Sequence, residues 1–126
     1  MRLILDTVPF MWAVSSPQCL SRVAMAALRK ETTMREISVV SLTEIAVKQI
    51  RGKLMFGKGD AIRGVADLRL RVLPYSADHA FRLFDLPAHH ADPFDRQIIA
   101  QALVENVPVV TPDEAFTLYD GLRVVW

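Results

Sequence analysis

The stretch Arg2-Leu3-Ile4-Leu5-Asp6-Thr7 decides the fold class. An uninterrupted apolar run this short suits a strand covered on both faces, and the acid that ends it presents a carboxylate at the strand's carboxyl end. Thr7 to Trp12 then turns into a helix. The same step recurs outward along the chain. Ile37 to Val40 is β-branched and apolar, and Ser41-Leu42-Thr43-Glu44 reads as a capping box ahead of Ile45, Ala46 and Ile50. Leu70, Val72 and Leu73 alternate as a third strand closed by Pro74, Val107 to Val110 forms a fourth, and Leu122 to Val125 forms a fifth before Trp126. Between them, Ser16-Pro17 opens a crossover helix with Val23, Ala24, Ala27 and Leu28 on its apolar face. Ala77 to Leu86 reads as an amphipathic helix with Ala80, Leu83 and Phe84 inward, and Asp113 to Tyr119 as a helical turn. Strands alternating with helices imply right-handed crossovers and a mainly parallel sheet with helices on both faces. The class is α/β, and its functional crevice lies beyond the carboxyl ends of the strands, where Asp6, Glu44 and Asp113 fall.

A second stretch sets the chemistry: His90-Ala91-Asp92-Pro93-Phe94-Asp95-Arg96-Gln97-Ile98-Ile99-Ala100-Gln101-Ala102. Asp92 is a good N-cap, Pro93 fits the first helical position, and negative charge is favoured beside the positive end of the helix dipole. Asp95 asks for more than a helix start. Ile98, Ile99 and Ala102 follow it at helical spacing and share its face, so an ionised acid borders the buried stripe. Unpaired, it would cost roughly several kcal/mol, which calls for a cation, a set of hydrogen bonds or a water-filled cleft.

Composition narrows the setting. A chain of 126 residues, 52% of them apolar, can bury one sizeable core, so residues 1–126 are read as a single domain. Fifteen Lys and Arg stand against 14 Asp and Glu, so net charge argues neither for nor against nucleic acid. Cys19, the only cysteine, excludes an internal disulfide and a thiolate-rich zinc site; with no signal-like or membrane-spanning run, the expected compartment is the cytoplasm.

Four of these acids also have an ordinary explanation. Asp6 can turn the chain after a strand, Glu44 can complete the capping box, and Asp113 and Asp92 can cap their helices. Asp95 has no fully adequate one. Together, acids at one edge suit a hard, oxygen-seeking ion such as Mg²⁺ or Mn²⁺, and such an ion hydrolyses phosphodiesters well. His89 and His90 are adjacent, and neighbours rarely face one site, so a polar loop before a helix is their expected setting. Lys48 sits four residues after Glu44 and can form an ordinary surface pair with it. Gly52, Gly57 and Gly59 punctuate the middle, where the basic charge gathers. There Lys48, Arg51 and Lys53 could hold phosphates beside an acidic site. Trp12 and Trp126 are read as core or interface residues.

These residues resemble a known family. Leu3-Ile4-Leu5-Asp6-Thr7, Ser41-Leu42-Thr43-Glu44-Ile45-Ala46-Val47-Lys48 with Gly52-Lys53-Leu54, His90-Ala91-Asp92-Pro93-Phe94-Asp95-Arg96 with Ile99-Ala100-Gln101-Ala102, and Val110-Thr111-Pro112-Asp113 have the order and spacing of PIN-domain ribonucleases, specifically VapC-type toxins of bacterial toxin-antitoxin pairs. The resemblance spans almost the whole chain. It implies a three-layer fold with a five-stranded, mainly parallel sheet, and a metal-dependent endonuclease acting on RNA. It places metal-site acids at Asp6, Glu44, Asp95 and Asp113, with Thr111 as a supporting hydroxyl and Asp92 and Arg96 as structural or accessory residues. It also implies a homodimer neutralised by a cognate antitoxin whose C-terminal segment covers the cleft. One departure is Val8-Pro9, where related toxins often carry a His. A phosphoacceptor signalling domain fits poorly, because its acidic pair after the first strand and its late Lys are missing. A haloacid-dehalogenase-like phosphatase would need an Asp where Val8 stands. A catalytically silent PIN-like module that binds RNA or a protein partner is the remaining alternative.

Overall fold

In the computed structural model, which describes every residue from Met1 to Trp126, the sheet is built around β1 (Arg2–Leu5). β1 pairs in parallel with β2 (Met34–Ser38) on one side and β4 (Val109–Val110) on the other, while β3 (Arg71–Leu73) and β5 (Val124–Val125) form the edges. The order is β3-β2-β1-β4-β5, all parallel. Leu3, Ile4 and Leu5 are at most 1% exposed, as a central strand covered on both faces demands. Successive side chains part to opposite faces. Ile4 joins Ile98, Ile99, Val109 and Phe116 in one layer, and Leu5 joins Phe10, Ile37, Ile45 and Phe56 in the other.

The path of the chain places the site. From β1 it runs through α1 (Thr7–Ser15) and α2 (Arg22–Arg29) to β2, then through α3 (Val39–Ile50) and α4 (Lys58–Asp67) to β3. α5 (Ala77–Leu83) and α6 (Pro93–Glu105) carry it back across to β4. The connections leaving β1 and β4 therefore diverge, and a crevice opens between the carboxyl ends of these neighbours. Asp6 directly follows β1, and Thr111 directly follows β4. α6 returns antiparallel to the strands, so its first turn, with Asp95, opens at this same end.

Several sequence expectations shift. β2 ends at Ser38 rather than Val40, and Ser38 caps α3 by accepting the Val40 N–H at 3.0 Å. Ser41-Leu42-Thr43-Glu44 is thus not a capping box but the interior of the helix, with Ser41 and Glu44 buried. Ser38 prevails because its hydroxyl also meets the buried Gln101 amide, a partner the local pattern cannot show. The crossover helix starts later than Ser16-Pro17, which makes only a single tight turn over Pro17–Cys19. Ser21 caps α2 by accepting the Ala24 N–H at 3.0 Å.

α4 was not foreseen, because glycines in the basic middle read as breakers. Asp60 accepts the Gly57 N–H at 2.9 Å to start the helix, and Gly64 is a packing contact within it. A Cβ there would lie 2.5 Å from Val14 Cγ2 on α1. α5 stops at Leu83, not Leu86, and Phe84 is 85% exposed rather than inward. His79 is the buried residue: its Nδ1 accepts the Ser76 N–H at 3.0 Å, and Nε2 faces Glu105 at 3.0 Å. The third strand is shorter than expected by its first residue, Leu70, and the fourth and fifth by their first two.

At the far end of the sheet, Glu36 is fully buried between Arg2 at 2.7 Å and Arg71 at 3.3 Å. Arg2 also reaches Glu105 at 3.2 Å, and hydrogen bonds from His79 and Arg2 hold the Glu105 carboxyl below its ordinary range. No helix is long and apolar enough to cross a membrane.

Candidate metal centre

The crevice beyond β1 and β4 has a volume of about 250 Å³ and is lined by Asp6, Glu44, Asp92, Asp95, Asp113 and Lys48, together with Thr7 and Thr111. All four acids expected at the site therefore meet in one cleft. Asp6 is 6% exposed and tightly fixed: Oδ1 accepts the Thr7 N–H at 2.8 Å, and Oδ2 accepts the Thr111 hydroxyl at 2.9 Å. The Thr111 oxygen in turn accepts the Asp113 N–H at 3.1 Å, which ties the rim acid to the central one. Glu44 is 4% exposed, and its Oε1 accepts the Thr7 hydroxyl at 2.6 Å, with the Ser41 hydroxyl 2.8 Å from Thr7. Asp92 caps α6 by accepting the N–H groups of Phe94 and Asp95 at 2.9 and 3.0 Å, a role that leaves it facing the cleft as well.

The charges are poorly compensated. Burial pushes Asp95 up to about 8, with further repulsion from Asp6, Asp92, Glu44 and Asp113. Burial likewise pushes Asp6 up to about 6, against the bonds from Thr7 and Thr111, with Glu44 and Asp113 adding to the rise. The one resident cation is Lys48, whose Nζ lies 2.6 Å from Glu44 Oε2. Its own basicity is raised chiefly by that hydrogen bond, and Asp92 and Asp95 contribute. As the side chains stand, no three His, Cys, Asp or Glu groups converge tightly enough to grip an ion together. The donor set nevertheless fits Mg²⁺ or Mn²⁺. It consists of hard carboxylate and hydroxyl oxygens, and the cleft has room for an ion that keeps part of its water shell.

The other expected residues divide. Arg51 and Lys53 lie past the end of α3 and do not line the cleft. Arg96 turns away from it, donating to the Pro87 carbonyl at 2.7 Å and the Tyr119 hydroxyl at 3.2 Å. Val8 is 41% exposed on the cleft wall and leaves the acids in place. Trp12 and Trp126 pack on each other with ring centroids 5.8 Å apart, outside the acid cleft. Sequence reasoning missed Thr7 and Ser41, although the Asp-Thr pair after a strand was a visible signal. It also set aside His90, whose Nε2 comes within 3.4 Å of Asp95 Oδ2.

A parallel sheet with an acid-lined crevice at its switch point defines a class of α/β proteins, and the family model for the PIN domain matches residues 3–122. The chain belongs to the PIN-domain family. Its fold is shared with chains of solved structures at low sequence identity. One is VapBC2 from Rickettsia felis bound to a DNA fragment from its promoter, at 20% identity, TM-score 0.74, and 98% of this chain and 97% of that chain covered. A second is DNA-bound VapBC from Salmonella typhimurium, at 19% identity, TM-score 0.74, and 98% and 96% coverage. A third is VapBC-5 from Mycobacterium tuberculosis, a member of the VapBC family of toxin-antitoxin systems, at 20% identity, TM-score 0.63, and 98% and 97% coverage. No curated protein gives a significant match.

Proposed function

We propose that the chain is a divalent-metal-dependent endoribonuclease, the VapC-type toxin of a toxin-antitoxin pair. The observation that carries this reading is the convergence of Asp6, Glu44, Asp95 and Asp113 in one cleft, where the others oppose the ionisation of Asp95. Asp6, Glu44 and Asp95 would hold Mg²⁺ or Mn²⁺ directly or through waters, with Asp113 completing the pocket. When bound, such an ion neutralises a phosphodiester and acidifies water for attack on phosphorus. Thr111 and Thr7 fix Asp6 and Glu44 in the wall of the cleft. Lys48 is the cation placed to meet a phosphate oxygen, and Arg51 and Lys53 continue its basic line for the flanking strand.

The partner side of the reading is a homodimer and a cognate antitoxin. Leu42, Ile45 and Ala46 of α3 line an apolar groove of about 530 Å³ with Phe56, Ile62 and Val65. Glu44 and Lys48 belong to the same helix, so an antitoxin segment seated in this groove could extend over the cleft and set a cationic side chain among the acids. In this reading the exposed Phe81 and Phe84 of the α5 end are apolar surface for a second copy to cover.

The test is RNA cleavage by the purified chain with Mg²⁺ or Mn²⁺, its loss in EDTA, and its loss in a folded Asp95→Asn variant. The amide keeps the shape of the acid but not the charge. Cleavage at the wild-type rate by that variant would sink the site, and a wild type that binds RNA without cutting it under any metal would favour the silent module.

A further inference from the structure

Two buried side-chain polar atoms of the protein lack a hydrogen-bond partner, and one of them is His90 Nε2, beside an acid of the candidate metal centre. It lies 3.4 Å from Asp95 Oδ2, the acid most crowded by its neighbours. The other ring nitrogen decides what Nε2 carries. His90 Nδ1 is 2.6 Å from the Tyr119 hydroxyl, and Tyr119 is 2% exposed. That hydroxyl oxygen already accepts from Arg96 Nη1 at 3.2 Å, so its single proton has His90 Nδ1 as its acceptor. Were Nδ1 protonated instead, the buried phenol proton would have nowhere to go. Arg96, itself anchored on the Pro87 carbonyl at 2.7 Å, therefore sets the phenol, and the phenol sets the ring. Nε2 is left carrying the ring hydrogen, 3.4 Å from Asp95 Oδ2 and without a partner.

From this geometry we infer that His90 is a positioning residue for Asp95, donating from Nε2 to Oδ2 and so holding the side chain in the orientation in which it would meet a divalent cation. The inference rests on the metal-nuclease reading above. A carboxylate that ligates a metal is itself hydrogen-bonded in well-built sites, and loss of such an outer partner costs about 10–100-fold in metal affinity. No other ion-pair partner reaches Asp95, since Lys48 is spent on Glu44. The 3.4 Å separation closes to hydrogen-bond length with a small rotation of either side chain. It also gives Arg96 a purpose in the Asp-Pro-Phe-Asp-Arg helix start, because the residue directly after Asp95 orients the group that orients Asp95.

The experiment measures Mn²⁺ binding by the electron paramagnetic resonance of the free ion, with the fold checked by thermal melting in EDTA. His90→Gln places an amide N–H near the Nε2 position, whereas His90→Asn reaches only as far as Nδ1. Tyr119→Phe keeps the ring but releases its tautomer. Expected are near-wild-type binding for the Gln variant, a loss of about tenfold or more for the Asn variant, and an intermediate loss for Tyr119→Phe. Wild-type affinity in the Asn variant, or equal losses in Gln and Asn, would overturn the role of His90 while leaving the metal site standing. A wild type that takes up no Mn²⁺ would overturn the metal-nuclease reading and the inference with it.

Discussion

Replacing Asp95 with Asn should flatten the pH dependence of folding stability above about pH 6 in the absence of divalent metal. Burial and four neighbouring acids raise the Asp95 carboxyl from 3.8 to about 8. A group whose folded pKa is raised contributes stability that is fully present below its unfolded pKa and is lost as pH rises through the folded value. The loss therefore runs from about pH 4 to about pH 8, at roughly 1.4 kcal/mol per pH unit. Asp6, raised to about 6, adds a similar slope only up to about pH 6. Between about pH 6 and pH 8 the Asp95 slope stands alone, and because the partly exposed carboxyl is screened by solvent the wild type should lose about 1–2 kcal/mol there relative to the variant. Urea unfolding of both proteins in EDTA across this window measures the difference directly, because groups common to the two cancel. Saturating Mn²⁺ should remove the wild-type slope, since an ion that binds only the folded state with Asp95 ionised offsets the repulsion. Parallel curves for the two proteins in EDTA would refute the argument, showing that Asp95 is not held protonated by its surroundings.

Three further outcomes follow from particular contacts. Glu36→Gln should cost about 1.5–3 kcal/mol in urea unfolding, because it weakens the charge-assisted bonds from Arg2 and Arg71 to a buried partner, yet RNA cleavage per folded molecule should stay the same at the opposite end of the sheet. Gly64→Ala, which improves an ordinary helix, should instead destabilise by about 1–3 kcal/mol through its clash with Val14, read as a lower melting temperature. Lys48→Met should lower the slope of log affinity for single-stranded RNA against log salt by about 0.7, and a slope left unchanged would return Lys48 to the role of a surface ion pair with Glu44.

Much was legible along the chain because strand and helix periods are local properties. Apolar runs followed by acids at Asp6 and Asp113 pointed to the α/β class and to the sheet edge where the acids gather, and Asp95 stood out by sharing a face with Ile98 and Ile99. The places where local reasoning failed share one cause. Ser38, not Ser41, caps α3 because Gln101, far along the chain, supplies the second partner of its hydroxyl. Glycines read as breakers became a helix because Gly64 lets α4 approach α1, and Glu36 is buried as a charge only because Arg2 and Arg71 reach it from the neighbouring strands.

For the site the division is the same. Sequence alone determined which acids are present and that their chemistry suits a hard cation, since side-chain type and helical spacing need no partner to be read. Only the tertiary structure decided that the strand order puts β1 beside β4, so that Asp6 meets Thr111 across 105 residues of chain. It alone turned Lys48 onto Glu44, sent Arg96 away from the cleft, and brought His90 up to Asp95. Electrostatic crowding is a property of distances in space, and four carboxylates spaced along a chain repel one another only after the sheet has gathered them at one edge.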